Sequence, residues 1–278
     1  MNKERNPIIL LPYDFTEVSD GAVKHACALA KMFGYSLRLL NILDPGTIKY
    51  MRANNMKISD IESKLEEMAE MIRKDKDIEV DYVLKKGSIK TMCKLAEAYL
   101  VSFMVLGIDE PRKNNSQILK VVSKSPVPVF VIQRNSEMMN YKNILFPLDD
   151  FFASRQKVGW AARLAKTTNA QISIFSVNPP GSEEGFKYQR IIEQVEEFFY
   201  QRNIPYSTTL SEGGMDTFTR ETVQFGTEHH CDVYVIMHRP KKLFGAIHPI
   251  DYQLIFNESR TPVLCVNLQD IMVSGGFS

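Results

Sequence analysis

Ile9-Leu10-Leu11-Pro12-Tyr13-Asp14-Phe15 returns as Ile144-Leu145-Phe146-Pro147-Leu148-Asp149-Asp150, with Asp14 and Asp149 placed 135 residues apart. An apolar run that closes on Pro-x-Asp or Pro-Leu-Asp reads as a buried strand ending at a turn. The echo continues at the same offset. Leu29-Ala30-Lys31 before Gly34 answers Leu164-Ala165-Lys166 before Asn169, and the apolar runs Ser36 to Leu43 and Gln171 to Val177 follow. Near the end of each copy, Pro128-Val129-Phe130-Val131-Ile132 matches Pro262-Val263-Leu264-Cys265-Val266. Self-similarity at an offset of 135 residues, closing to 134 at the last pair, means a duplicated folding unit. The polar stretch Gln133 to Lys142 lacks periodicity and reads as the linker, which divides the chain into domains 1–138 and 139–278.

Within each copy, strand-like runs alternate with helix-like stretches. In the first, strands are predicted at about 7–13, 36–43, 79–84, 103–107 and 128–132, with helices at about 18–33, 57–74, 88–100 and 115–123. In the second, strands are predicted near 142–148, 171–177, 205–210, 232–236 and 262–266, with helices near 153–168, 184–202, 214–229 and 248–258. This alternation is the mark of a parallel sheet with crossover helices. Unbroken apolar strands such as Phe103-Met104-Val105-Leu106 predict burial on both faces. The fold expected is therefore α/β: two tandem doubly wound domains, each a five-stranded parallel sheet flanked by helices. The first helix carries Ala22, Ala26, Leu29, Ala30 and Phe33 on one face, with Thr16 or Ser19 as its cap and Gly34 as its stop. Ile61, Leu65, Met68, Ala69 and Ile72 form another such face, as do Val195, Phe198 and Phe199, and Trp160 reads as packing.

Composition narrows the function. The chain has 278 residues, 44% hydrophobic and 24% charged, with a net charge of +1. That balance argues against nucleic-acid binding, which needs a surplus of Lys and Arg to displace counterions from phosphates. The polar start, Met1 to Pro7, has no signal-peptide core, and no apolar run approaches the roughly 18 residues that span a bilayer. Cys27, Cys93, Cys231 and Cys265 are scattered in apolar contexts and read as small buried hydrophobes. A cytoplasmic protein with no membrane or nucleic-acid partner is expected.

No P-loop, no GxGxxG after the first strand, no Gly-x-Ser-x-Gly and no paired Cys and His occur, so the chain reads as a binding protein rather than an enzyme. His229-His230-Cys231 with His238 and His248 has the residue types of a zinc site but not the spacing. His229 and His230 read as the end of a helix, where the negative end of the dipole favours them.

Both halves resemble the universal stress protein domain: a first strand ending in Pro-x-Asp, an Ala-rich helix closing on Ala-Lys-x-x-Gly, and a last strand entered through Ser-x-x-Pro-Val or Arg-Thr-Pro-Val. The resemblance covers nearly the whole chain and implies a tandem member acting in stress response or regulation. It also implies a ligand site at the carboxyl ends of the strands. Members that hold ATP follow the fourth strand with Gly, two residues, Gly, about nine residues and Gly-Ser or Gly-Thr, whose backbone cradles phosphate.

On that pattern the first-half pocket comprises Pro12, Asp14, Thr16, Gly107 and Ser116. Glu110 replaces the second glycine and Asn115-Ser116 replaces Gly-Ser, while Arg112 and Lys113 lie nearby. The second-half pocket comprises Asp149, His238 and His248, with Met237 in place of the first glycine and His248-Pro249 in place of Gly-Ser. Both phosphate loops are thus degenerate. No cofactor is expected, and ATP is the alternative, held or slowly hydrolysed at the first-half site. Asp14 and Asp149 either face a ligand or brace the first helix of their half. The resemblance further implies pairing of the last strands into an intrachain pseudo-dimer, with a homodimer and an unidentified protein as the other partners.

Overall fold

A computed structural model describes residues 6–109, 116–137, 140–149, 152–178, 181, 183–238 and 249–267. The chain divides into two compact units, Met1–Met139 and Asn140–Ser278. The first unit runs β1 (Ile8–Pro12), α1 (Glu17–Phe33), β2 (Ser36–Leu43), α2 (Pro45–Ala53), α3 (Ile58–Lys76), β3 (Val80–Lys86), α4 (Ile89–Ala98), β4 (Val101–Ile108), α5 (Ser116–Lys124) and β5 (Val129–Gln133). All its strands pair in parallel, in the order β3-β2-β1-β4-β5. The direction of winding reverses between β1 and β4. Right-handed crossovers then put α1 and α3 together on one face and α4 and α5 on the other, as their packing shows.

The second unit repeats the plan with β6 (Asn143–Leu148), α6 (Val158–Thr168), β7 (Gln171–Ser176), α7 (Glu183–Tyr200), β8 (Tyr206–Leu210), α8 (Met215–Glu228), β9 (Val233–Met237), α9 (Pro249–Ile255) and β10 (Val263–Val266). Its parallel order is β10-β9-β6-β7-β8. Each unit is the predicted five-stranded parallel α/β domain.

The expected caps and faces are present. Thr16 caps α1 by accepting from the Ser19 N–H, the Ser19 hydroxyl accepts from the Thr16 N–H, and Gly34 ends the helix with φ +68°. The apolar face of α1 is buried at Ala22, Ala26, Leu29 and Ala30, and that of α3 at Ile61, Leu65, Ala69 and Ile72. Strands β4, β5, β9 and β10 are buried almost throughout.

Four expectations are corrected. Helix α2 was not predicted, although Asp44 before Pro45 is a helix-start signal: the Asp44 carboxylate accepts from the Thr47 N–H at 2.7 Å. The stretch expected to open α6 begins as a 3-10 turn, Phe152–Lys157, and becomes α-helical only at Val158. Cys93 is half-buried instead of core. Phe198 is likewise half-buried, and its ring carries the Arg202 guanidinium at 3.6 Å while Val195 and Phe199 fill the core.

Candidate functional site

In the first unit an open cavity of about 980 Å³ lies at the carboxyl ends of β1, β2 and β4. This is the crevice where the winding reverses, and in open α/β sheets ligands bind there. Pro12, Asp14, Thr16 and Gly107 all line it, so four of the five residues predicted for this pocket come together. The backbone of Ser116 begins α5, while its side chain lies outside the described residues, as do Glu110, Arg112, Lys113 and Asn115.

Asp14 braces the loop. Its Oδ1 accepts from the Thr16 hydroxyl at 2.6 Å and from the Thr16 N–H at 3.2 Å. Tyr13 donates its phenol to Asp20 at 2.7 Å, and burial together with that carboxylate pushes the phenol's pKa upward. Gly107 has a packing reason for being glycine. A Cβ built there would stand 2.6 Å from the Val18 carbonyl oxygen in the first turn of α1.

Charged residues that sequence reading missed complete the lining: Glu17, Asp44, Asp109, Lys120 and Arg134. Arg134, just past β5, pairs with Glu17 and lies 3.8 Å from Asp109. A signal for two of these was present. Asp44 and Asp109 each directly follow an apolar strand, and the residue after a parallel strand stands at the switch-point edge. Lys120 and Arg134 arrive from elements distant in sequence and carry no such mark.

The second unit handles the same edge differently. Asp149 is half-buried one residue past β6, and His238 sits one residue past the neighbouring strand β9. His238 is buried, and its Nδ1 lies 2.9 Å from Oδ2 of Asp251 on α9. Lys157 is fully buried and donates to the Pro147 carbonyl, with its ammonium 4.6 Å over the Phe146 ring. His248 and residues 239–247 lie outside the described residues.

Among the described residues no group of three His, Cys, Asp or Glu is arranged to hold a metal ion, and no helix is long and apolar enough to cross a membrane. His229 ends α8, where its Nδ1–H donates to the Phe225 carbonyl at 3.0 Å. A shallower depression of about 450 Å³ lies along one side of α7, lined from Arg190 to Gln201. Only one helix builds it, so it gathers no convergent groups.

Fold and cavity define a doubly wound α/β protein with an open crevice at the switch point of its first unit. Residues 6–133, within the first unit, match the universal stress protein family. Its structure is similar to a universal stress protein from Archaeoglobus fulgidus DSM 4304, with TM-score 0.73, 19% identity, and coverage of 94% of this chain and 98% of that one. A putative universal stress protein from Pseudomonas aeruginosa UCBPP-PA14 follows with TM-score 0.65, 15% identity, and coverage of 94% and 93%. At these identities the likeness is one of fold, and it extends over both units. No curated protein matches the chain.

Proposed function

We propose that the chain is a non-catalytic, cytoplasmic universal stress protein that serves as a regulatory binding module, with its first unit as the ligand-holding half. The observation carrying this reading is the first-unit cavity. It is large enough for a small organic ligand, and its polar groups serve caps and ion pairs. Catalysis would call for a nucleophile held against a base, and the Thr16 hydroxyl on Asp14 is instead engaged in capping α1. The four cysteines are free, in keeping with a reducing compartment.

In the second unit the His238–Asp251 pair and the buried Lys157 ammonium occupy the strand ends, which supports a unit retained for its fold and surfaces. Pairing through the last strands and an external protein partner belong to this proposal as the means by which ligand occupancy is read out.

One observation favours a second reading, an ATP-binding member. Pro12, Asp14, Thr16 and Gly107 share the cavity with two cations, Lys120 and Arg134. Denaturing the purified protein and assaying released small molecules by mass spectrometry separates the two, followed by calorimetric titration with Mg-ATP. The first reading expects no released nucleotide and no heat of ATP binding. An adenine nucleotide near one per chain overturns it in favour of the second.

A further inference from the structure

Helix α7 has two opposite faces. Ile191, Ile192, Val195 and Phe199 are buried and seat it on its own unit. At 3.6 residues per turn the side directly opposite carries Phe186, Arg190, Glu193, Glu197 and Tyr200, whose four-three-four-three spacing keeps them in one stripe along the helix. All five are exposed, and the Phe186 and Tyr200 residues are each 71% exposed. The duplication provides an internal control. Helix α3 holds the corresponding place in the first unit, and the face opposite its buried Ile61, Leu65, Ala69 and Ile72 is Ser63, Glu67, Glu70 and Lys74, all exposed and none apolar. That is how a helix face meant only for water is built. The outer face of α7 departs from it by two aromatic rings.

The stripe on α7 is also complementary to itself. A two-fold axis crossing the helix at Glu193 and Gln194 sets two copies antiparallel and brings the Arg190 of each level with the Glu197 of the other. The same axis brings each Phe186 to within one residue, about 1.5 Å of rise, of the other copy's Tyr200. Arg190 has no carboxylate partner among the described residues, and Glu197 accepts only from the Gln201 amide, through Oε1, at 2.6 Å. At the axis Glu193 approaches its own copy, and this one contact is repulsive. A different protein would impose no symmetry about the helix midpoint, whereas an isologous contact requires it.

We propose that this face of α7 docks a second copy of the chain as an antiparallel helix pair. The depression of about 450 Å³ beside the stripe, with Glu197, Phe198 and Gln201 in its lining, has only α7 for a wall, and the second copy's Phe186 closes it. An 18-residue helix is about 27 Å long and covers less than a standard interface, so the dimer belongs to the weak, reversible class, with a dissociation constant on the order of 10–100 μM. The proposal stands on the second unit alone and is independent of what the first-unit cavity holds.

Sedimentation velocity on the full chain, from about 5 μM to about 500 μM, reads the equilibrium directly. A reversible monomer–dimer transition is expected. Arg190→Glu and Glu197→Arg should each weaken it about tenfold, because like charges then face each other at two symmetric places. Mixing these two variants should restore wild-type affinity, since each supplies the charge that the other lacks. Phe186→Ser should weaken the dimer, and Glu193→Gln should tighten it by removing the repulsion at the axis. Unchanged far-ultraviolet circular dichroism ties a loss to the surface, and recovery on mixing does so independently. A monomer at every concentration overturns the proposal. A dimer that Arg190→Glu and Phe186→Ser leave unchanged uses another surface and overturns it too, as does a mixture of the two charge variants that stays as weak as either alone.

Discussion

Replacing Gly107 with Ala separates two accounts of why this position is glycine. If the residue were kept for a ligand's backbone contact, an added methyl would weaken binding and leave stability alone. The geometry assigns it to packing. The new Cβ would lie 2.6 Å from the Val18 carbonyl oxygen, 3.0 Å from Val18 Cγ1 and 3.1 Å from the Val18 carbonyl carbon. Two of these neighbours are backbone of a capped helix turn and cannot rotate aside. Restoring ordinary contact at 3.4 Å moves the start of α1 away from β4 by about 0.8 Å, a strain of the size that costs about 1–3 kcal/mol on overpacking a core.

Gly21→Ala is the matched control, because its Cβ meets nothing within 4 Å and it lies inside α1. It should stabilise by about 0.5–1 kcal/mol through helix propensity. Urea unfolding followed by far-ultraviolet circular dichroism measures both. A Gly107→Ala midpoint equal to wild type, with Gly21→Ala shifted upward as expected, refutes the packing explanation.

Asp251→Ala should destabilise the second unit by about 1–3 kcal/mol, since Nδ1 of buried His238 loses its hydrogen-bond partner; urea unfolding that leaves its transition unmoved contradicts this. His25 donates Nε2–H to the Ser136 carbonyl at 3.1 Å, and burial lowers its pKa below the ordinary 6.5. The unfolded chain therefore binds the proton more readily. Stability holds above pH 6.5 and falls as pH drops from there toward the folded-state value, a slope that His25→Gln should reduce in denaturation midpoints at pH 5 to 8. Burial pushes the Cys27 and Cys231 thiols up to about 11 and about 12, and Cys265 is fully buried. In the native protein at pH 8 a thiol reagent should label Cys93 first, and all four only after unfolding.

The duplicated Pro-x-Asp strand ends and the alternation of runs made the architecture legible, because burying a parallel sheet on both faces leaves a strong apolar imprint. Helix α2 escaped because Pro45-Gly46 reads as a turn until Asp44 is recognised as its cap. The site was legible as far as it followed strands, at Pro12, Asp14 and Gly107. It was illegible where distant segments converge. Nothing around Arg134 announces Glu17 and Asp109, which lie 117 residues and 25 residues away along the chain. Lys157 reads as a solvated residue by type, yet the turn before α6 directs it inward to Pro147.

The chain leaving β5 is fastened twice to the same helix, by Arg134 on Glu17 and by the Ser136 carbonyl on His25. The two anchor points stand eight positions apart on α1, close to two helical turns or about 12 Å. Tension applied to this exit segment is therefore delivered along the flank of α1 in shear before it reaches the hydrogen bonds of β5. Mechanically, the first unit is gripped by the helix that walls its cavity, and Arg134 is the link that load and ligand would share.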